Sequence, residues 1–155
     1  MIDENEVKRA YDIANNARAM NFDPSDKTEI IPAPDLAARV EAIVGPVGVA
    51  EKIREMSKGK NRTQLAFAVA ETIIDGAFGL WSRDKTIEQA VRTGTAIITE
   101  GVLVAPTEGI SAVKINKNQD GTDYLAIYYA GPIRGAGGTS AALSVLLGDF
   151  ARRKL

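Results

Sequence analysis

The residues best suited to handling a phosphate lie between Tyr128 and Arg153, in the stretch YYAGPIRGAGGTSAALSVLLGDFARR. Gly131, Gly135, Gly137 and Gly138 surround Arg134 and precede an apolar run of helical spacing. Such a connector has two physical readings. Backbone N–H groups from Gly137 to Ser140, at the start of a helix, form an anion nest that the Arg134 guanidinium reinforces by binding phosphate bidentately. Alternatively, the glycines only shape a sharp strand-to-helix turn, and Arg134 pairs with a carboxylate or a helix-end carbonyl. Residue types alone leave both readings open.

Specific nucleotide motifs fare worse. A P-loop requires G-x-x-x-x-G-K-[ST], and no lysine precedes Thr139. Gly135 and Gly137 supply two glycines of a dinucleotide fingerprint, but Ser140 stands at the third position and no second βα unit follows. A nucleotide-binding domain built on Gly131–Gly138 therefore ranks behind the other readings.

The chain has no cysteine and no histidine. This excludes thiolate nucleophiles, disulfides, Ser-His-Asp catalysis and histidine- or cysteine-bound zinc. Carboxylate chemistry needs a converging pair. Glu100 and Glu108 are the nearest approach to one, and surface acids are the plainer reading. No catalytic residue and no metal ligand is assigned. Arg152, Arg153 and Lys154 close the final helix, where they either complement its dipole or contact DNA phosphate, and Asp149 is expected to pair with this cluster.

These groups must be positioned by the rest of the chain. At 155 residues and 45% hydrophobic, it can bury one core. Val7, Tyr11, Ala14 and Ala17 mark an amphipathic helix, and the prolines of FDPSD and IIPAP mark a connector. Leu36, Val40 and Ile43 predict a short helix that Gly45-Pro46 stops, and Val49, Ile53 and Met56 a second over 47–56, the two forming a helical hairpin. The basic loop KGKNR, Lys58–Arg62, is read as solvated, and Asn61 or Thr63 caps a helix with Leu65, Ala66, Val69, Ile73 and Ile74 inward. A further helix over 84–99 buries Ile87, Ala90, Val91, Ile97 and Ile98. Trp81 is read as a packing anchor.

The pattern then turns strand-like. Val102–Pro106 and Ile110–Ile115 are rich in branched residues, NKNQDGTD is dense in turn formers, and YLAIYY returns as the partner strand of a β-hairpin. Thr139 or Ser140 is expected to cap the last helix, with Ala142, Leu143, Leu146, Leu147 and Phe150 in its core. The order predicts an α+β fold: N-terminal helices, a small antiparallel hairpin or sheet, and a C-terminal helix. We expect a single N-terminal domain over 1–155, divided into a helix and connector (1–33), a helical part (34–100), and the hairpin, glycine-rich loop and final helix (101–155). ARRKL carries no glycine or proline to stop that helix, so the chain is expected to belong to a longer one.

A net charge of −1, from 19 basic and 20 acidic residues, rules out a uniformly basic nucleic-acid binder and leaves local basic patches open. No stretch approaches the roughly 20 apolar residues of a membrane span, so no membrane partner and a cytoplasmic location are expected.

The segment AGPIRGAGGTSAALSVLL resembles a signature of the large subunit of archaeal DNA polymerase D, also called DNA polymerase II. EQAVRTGTAIITEGVLVAPTEGISAVKINKNQDGTDYLAIYY, VEAIVGPVGVAEKIRE and AYDIANNARAMNFDP are similar to the segments before it, so the resemblance covers nearly the whole chain. Gly135 stands where a small polar residue such as serine is expected. The resemblance implies a replicative DNA-directed DNA polymerase, a heterodimer whose small subunit carries a proofreading exonuclease. It places the polymerase aspartates, and the magnesium they need, beyond this segment, for which no cofactor is expected. The implied role is assembly and DNA positioning, with primer-template DNA, the small subunit and the remainder of the large subunit as partners. Self-association through an uncovered final helix, without DNA contact, is the alternative.

Overall fold

The computed structural model describes residues 4–22, 33–100, 107–131, 133 and 137–155. In chain order the elements are α1 (Glu4–Ala19), α2 (Leu36–Val44), α3 (Val49–Met56), α4 (Arg62–Ile74), α5 (Arg83–Ile98), β1 (Ile110–Lys117), β2 (Asp123–Tyr129) and α6 (Gly138–Lys154). The chain divides into two units, Met1–Ile31 and Pro32–Leu155. In the first, α1 shows the expected stripe, with Val7, Tyr11, Ala14 and Ala17 half-buried and most of their neighbours exposed.

The second unit is organised by α5, which packs against α2, α4, α6 and β1. Small residues make this possible. Thr86, Ile87, Ala90, Val91 and the unbroken run Thr93–Ile97 are buried, so the helix is covered on nearly every side. Its hydroxyls and amide find partners inside. Thr93 Oγ1 donates to the Gly45 carbonyl at 3.0 Å, and Gln89 Nε2 donates to the Val44 carbonyl at 2.8 Å and to Thr93 Oγ1 at 2.9 Å. The last carbonyls of α2 are thus satisfied by side chains of α5.

Helix α4 begins with a capping box in which Asn61 and Gln64 exchange side-chain and backbone hydrogen bonds. All five of its expected core residues, Leu65, Ala66, Val69, Ile73 and Ile74, are buried. The α2–α3 hairpin is tied at both ends. Glu41 Oε2 accepts from the Ala50 N–H at 2.7 Å, covering the start of α3, where Gly48 offers no side-chain cap. At the start of α2, Asp35 accepts from the Ala38 N–H at 2.7 Å and takes a two-pronged contact from Arg54, 2.7 Å to Nε and 3.0 Å to Nη2.

The Arg54 guanidinium, with the Ala38 N–H, holds the Asp35 carboxyl below the usual carboxylate range. A lowered folded pKa contributes stability that is present above the unfolded value near 4 and is lost as pH falls through the folded one. Asp35→Ala is therefore expected to destabilise by about 0.5–2 kcal/mol at pH 7, the usual cost of losing a cap. Urea midpoints should show this gap narrowing below about pH 4.

β1 and β2 pair antiparallel from Ile110↔Tyr129 to Lys117↔Asp123, with an irregularity between Ile110 and Ala112. The turn closes as its residues predict: Asp120 Oδ1 accepts from the Thr122 N–H at 2.9 Å, and Gly121 takes φ +84°. Val113, Ile115, Leu125 and Ile127 turn toward the core, where α6 lies against β2. The fold is α+β, as the sequence predicts.

Two side-chain expectations need correction. Along α6 the buried residues are Ser144, Leu147, Gly148 and Ala151, while Leu146 is half-exposed and Leu143 only partly covered. Close approach to α5 and the hairpin selects small residues there, and a search for large apolar ones misses them. Trp81 lies outside the core cluster, with more than a third of its surface exposed. The strand-like Val102–Pro106 lies outside the described residues.

Candidate functional site

The candidate site begins where β2 hands over to α6. The Ala130 N–H donates to the Gly109 carbonyl at 3.0 Å, and the Ile133 N–H donates back to the Ala130 carbonyl at 3.3 Å, burying Ile133. Arg134 and Gly135 lie outside the described residues. Of the remaining glycines, Gly137 is the one whose backbone demands the residue type, with φ +88° and ψ 156° at the N-cap of α6. Gly131 and Gly138 have open space where a Cβ would sit. Neither Thr139 nor Ser140 caps the helix; Gly138 is already its first residue, and among the described residues no side chain bonds to its first N–H groups.

At the other end of α6 the three predicted cations come together. Arg152 Nη2 lies 3.0 Å and Arg153 Nε 2.8 Å from the two oxygens of Asp149. Two guanidinium groups thus share one carboxylate, leaving a net positive charge at the helix end where the dipole also favours it. Arg153 is the more exposed, with 71% of its side chain in solvent against 39% for Arg152. Lys154 pairs with Glu71 of α4, whose carboxylate raises the lysine pKa. Its Nζ also lies 5.9 Å from the Phe150 ring, which meets Phe67 edge-on at 5.4 Å. Lys154 thus ties α6 to α4, Arg152 lies along the groove, and Arg153 reaches furthest into solvent.

Between β2 and α6 runs an open groove of about 550 Å³, walled by Asp123, Tyr124, Leu125, Ile127 and Tyr129 on the strand and by Val145, Asp149 and Arg152 on the helix. Tyr129 and Ser144 bridge the two walls, oxygen to oxygen, at 2.8 Å. Ser144 spends its single proton on the Ala141 carbonyl at 2.7 Å, so Tyr129 is the donor. Burial raises the Tyr129 phenol above its ordinary pKa, keeping that proton in place at neutral pH. Val145, in the groove wall, and Leu146, next to it along α6, are 53% and 52% exposed. Residue types and spacing do not single out this groove; the one signal for it is the apolar surplus of LSVLL.

The other candidates disperse. Glu100 pairs with Arg62 at the start of α4, and Glu108 is exposed. Among the described residues no three metal-ligating side chains come together. No described helix is long and apolar enough to cross a membrane.

The described residues of the second unit therefore define an α+β module that presents a basic helix end beside an open groove of mixed polarity. Residues 2–155 match the family described as DNA polymerase II large subunit DP2, N-terminal, and the chain belongs to that family. It is 56% identical to the DNA polymerase II large subunit of Pyrococcus horikoshii over 155 residues, covering 98% of this chain and 11% of that protein. The same protein of Thermococcus kodakarensis is also 56% identical, over 98% of this chain and 9% of its own length. That of Methanococcus maripaludis is 52% identical over 149 residues, or 96% of this chain and 13% of its own. The chain thus spans about a tenth of the length of the curated relatives it matches.

Proposed function

We propose that this chain is the N-terminal assembly and DNA-positioning part of the large subunit of a replicative DNA-directed DNA polymerase. The observation that carries the reading is the 56% identity, over nearly the whole chain, to proteins of that name. Nucleotide addition and its magnesium belong to the rest of the subunit in this reading, and proofreading belongs to a small exonuclease subunit. The Arg152–Arg153 pair, sharing one carboxylate, supports a phosphate contact, and Arg134 is the matching candidate in the loop.

Phosphate contacts release counterions, so affinity should fall steeply with salt. In a filter-binding titration on primer-template DNA, replacing Arg152, Arg153 or Arg134 with glutamine is expected to flatten the log–log salt slope by about 0.9 for each duplex phosphate that the arginine neutralised. An affinity indifferent both to salt and to these substitutions would overturn DNA positioning.

A second reading, subunit packing without DNA contact, is favoured by the groove and by the exposure of Val145 and Leu146 on α6. Sedimentation of the chain with and without the remainder of the large subunit separates the two. A chain that stays monomeric and fails to bind that remainder counts against packing.

A further inference from the structure

The hairpin has an outward face whose composition its packing does not require. Its register sets Ala112, Lys114 and Asn116 of β1 opposite Tyr128, Ala126 and Tyr124 of β2. Side chains alternate across a strand, so these six share the side away from Val113, Ile115, Leu125 and Ile127. Tyr124 and Tyr128 are 42% and 47% exposed, and Lys114 is exposed with them; Tyr124, near the end of the strand, also borders the β2–α6 groove. Four residues of strand separate the rings by about 13 Å, with the small Ala126 between. None of the six is acidic, in a chain whose net charge is −1. Lys114 makes no ion pair among the described residues; its Nζ lies 5.8 Å from the centroid of the Tyr128 ring.

We propose that this face is a stacking platform for single-stranded nucleic acid, in which Tyr124 and Tyr128 each take a base and Lys114 meets the backbone phosphate between them. The proposal rests on reading the chain as part of a DNA polymerase, and adds to it the surface and the strand state. Three observations converge on this ligand. Aromatic rings left partly in water on an open two-stranded sheet match the π-faces of bases, which are hidden in a duplex and open in a single strand. A cation with no carboxylate competing for it complements phosphate. Asn116, opposite Tyr124, supplies an amide that can pair with a base edge of any identity. Stacking of this kind tolerates every base, as a surface that follows a template must.

The test is fluorescence anisotropy of a labelled oligothymidine and of a matched duplex with the parent chain and its variants. Tyr128→Leu and Tyr124→Leu are each expected to weaken single-strand binding by roughly 5- to 150-fold while leaving duplex binding unchanged. Tyr128→Phe, which keeps the ring, should bind as the parent does. Lys114→Gln should flatten the single-strand salt slope by about 0.7. Thermal melts of the variants, whose side chains are exposed, report that the fold is kept. If the leucine variants bind single strands like the parent while Arg152→Gln or Arg153→Gln weakens DNA binding, DNA positioning stands and the platform falls. Should the leucine variants alter sedimentation and leave oligothymidine binding intact, the face is a protein contact and the proposal is overturned. A parent chain that binds neither DNA overturns both readings.

Discussion

Leu147→Ala is expected to cost about 2–5 kcal/mol, the range for truncating a fully buried leucine. The reason is local. Leu147 is 1% exposed, and its Cδ1 and Cδ2 lie 2.8 and 3.0 Å from where a Cβ on Gly94 would sit. The leucine of α6 thus fills a hole that α5 leaves by carrying a glycine in mid-helix. Truncation empties the hole between two rigid helices that cannot collapse into it. The reciprocal change, Gly94→Ala, gains up to about 1 kcal/mol of helix propensity but pushes into the Leu147 methyls. In the double variant the new methyl occupies part of the vacated space, so the double loss should be smaller than the sum of the single ones. Urea unfolding of the parent, both single variants and the double variant measures this coupling. Additivity within about 0.5 kcal/mol would show that the two positions do not share a cavity.

Gly148→Val is expected to act on a different face of the same helix, about 100° round from Leu147. A Cβ at Gly148 would lie 2.6 Å from Ile127 Cδ1 and 3.0 Å from Leu125 Cδ2, so valine, with two further methyl groups, must push α6 and the hairpin apart. Overpacking of this kind costs about 1–3 kcal/mol. The loss should be concentrated in the hairpin, which has only two strands and depends on its support. Amide exchange should therefore accelerate in Ile110–Tyr129 more than in α4. Exchange that rises equally everywhere, or a valine variant as stable as the parent, would show that the hairpin does not lean on Gly148. Shortening Ile127 to alanine in a Gly148→Ala background should restore part of the stability by removing the nearer clash.

These two glycines also mark how far the sequence is legible. Helices α2 to α5 follow from apolar spacing, and the cap at Asn61 and the turn at Asp120-Gly121 follow from local hydrogen-bonding chemistry, which acts over a few residues. The core stripe of α4 is right because its partners cover one broad face of large side chains. In α6 the same reasoning picks Leu146, which is half-exposed, and passes over Gly148 and Ser144, which are buried. Spacing reports which residues are apolar; it cannot report that a partner approaches so closely that only a hydrogen or a hydroxyl fits. The basic cluster is legible as a cluster, and Asp149 as its partner, because they lie within one helical turn. The tie from Lys154 to Glu71 spans the chain and carries no sequence signal. The same holds for the outward tyrosines: alternation in YLAIYY puts Tyr124 and Tyr128 on one side, and only the paired strand shows that this side meets water beside Lys114.

The bonds from Gln89 and Thr93 to the Val44 and Gly45 carbonyls have a consequence for how the second unit comes apart. A short helix ordinarily frays from its C-terminus, each carbonyl trading its partner for water with little effect on the rest. Here those acceptors are held by the middle of α5, so melting the end of α2 strands two donors beside the most enclosed helix of the unit. The nine residues of α2 and the sixteen of α5 are thereby joined into one cooperative block.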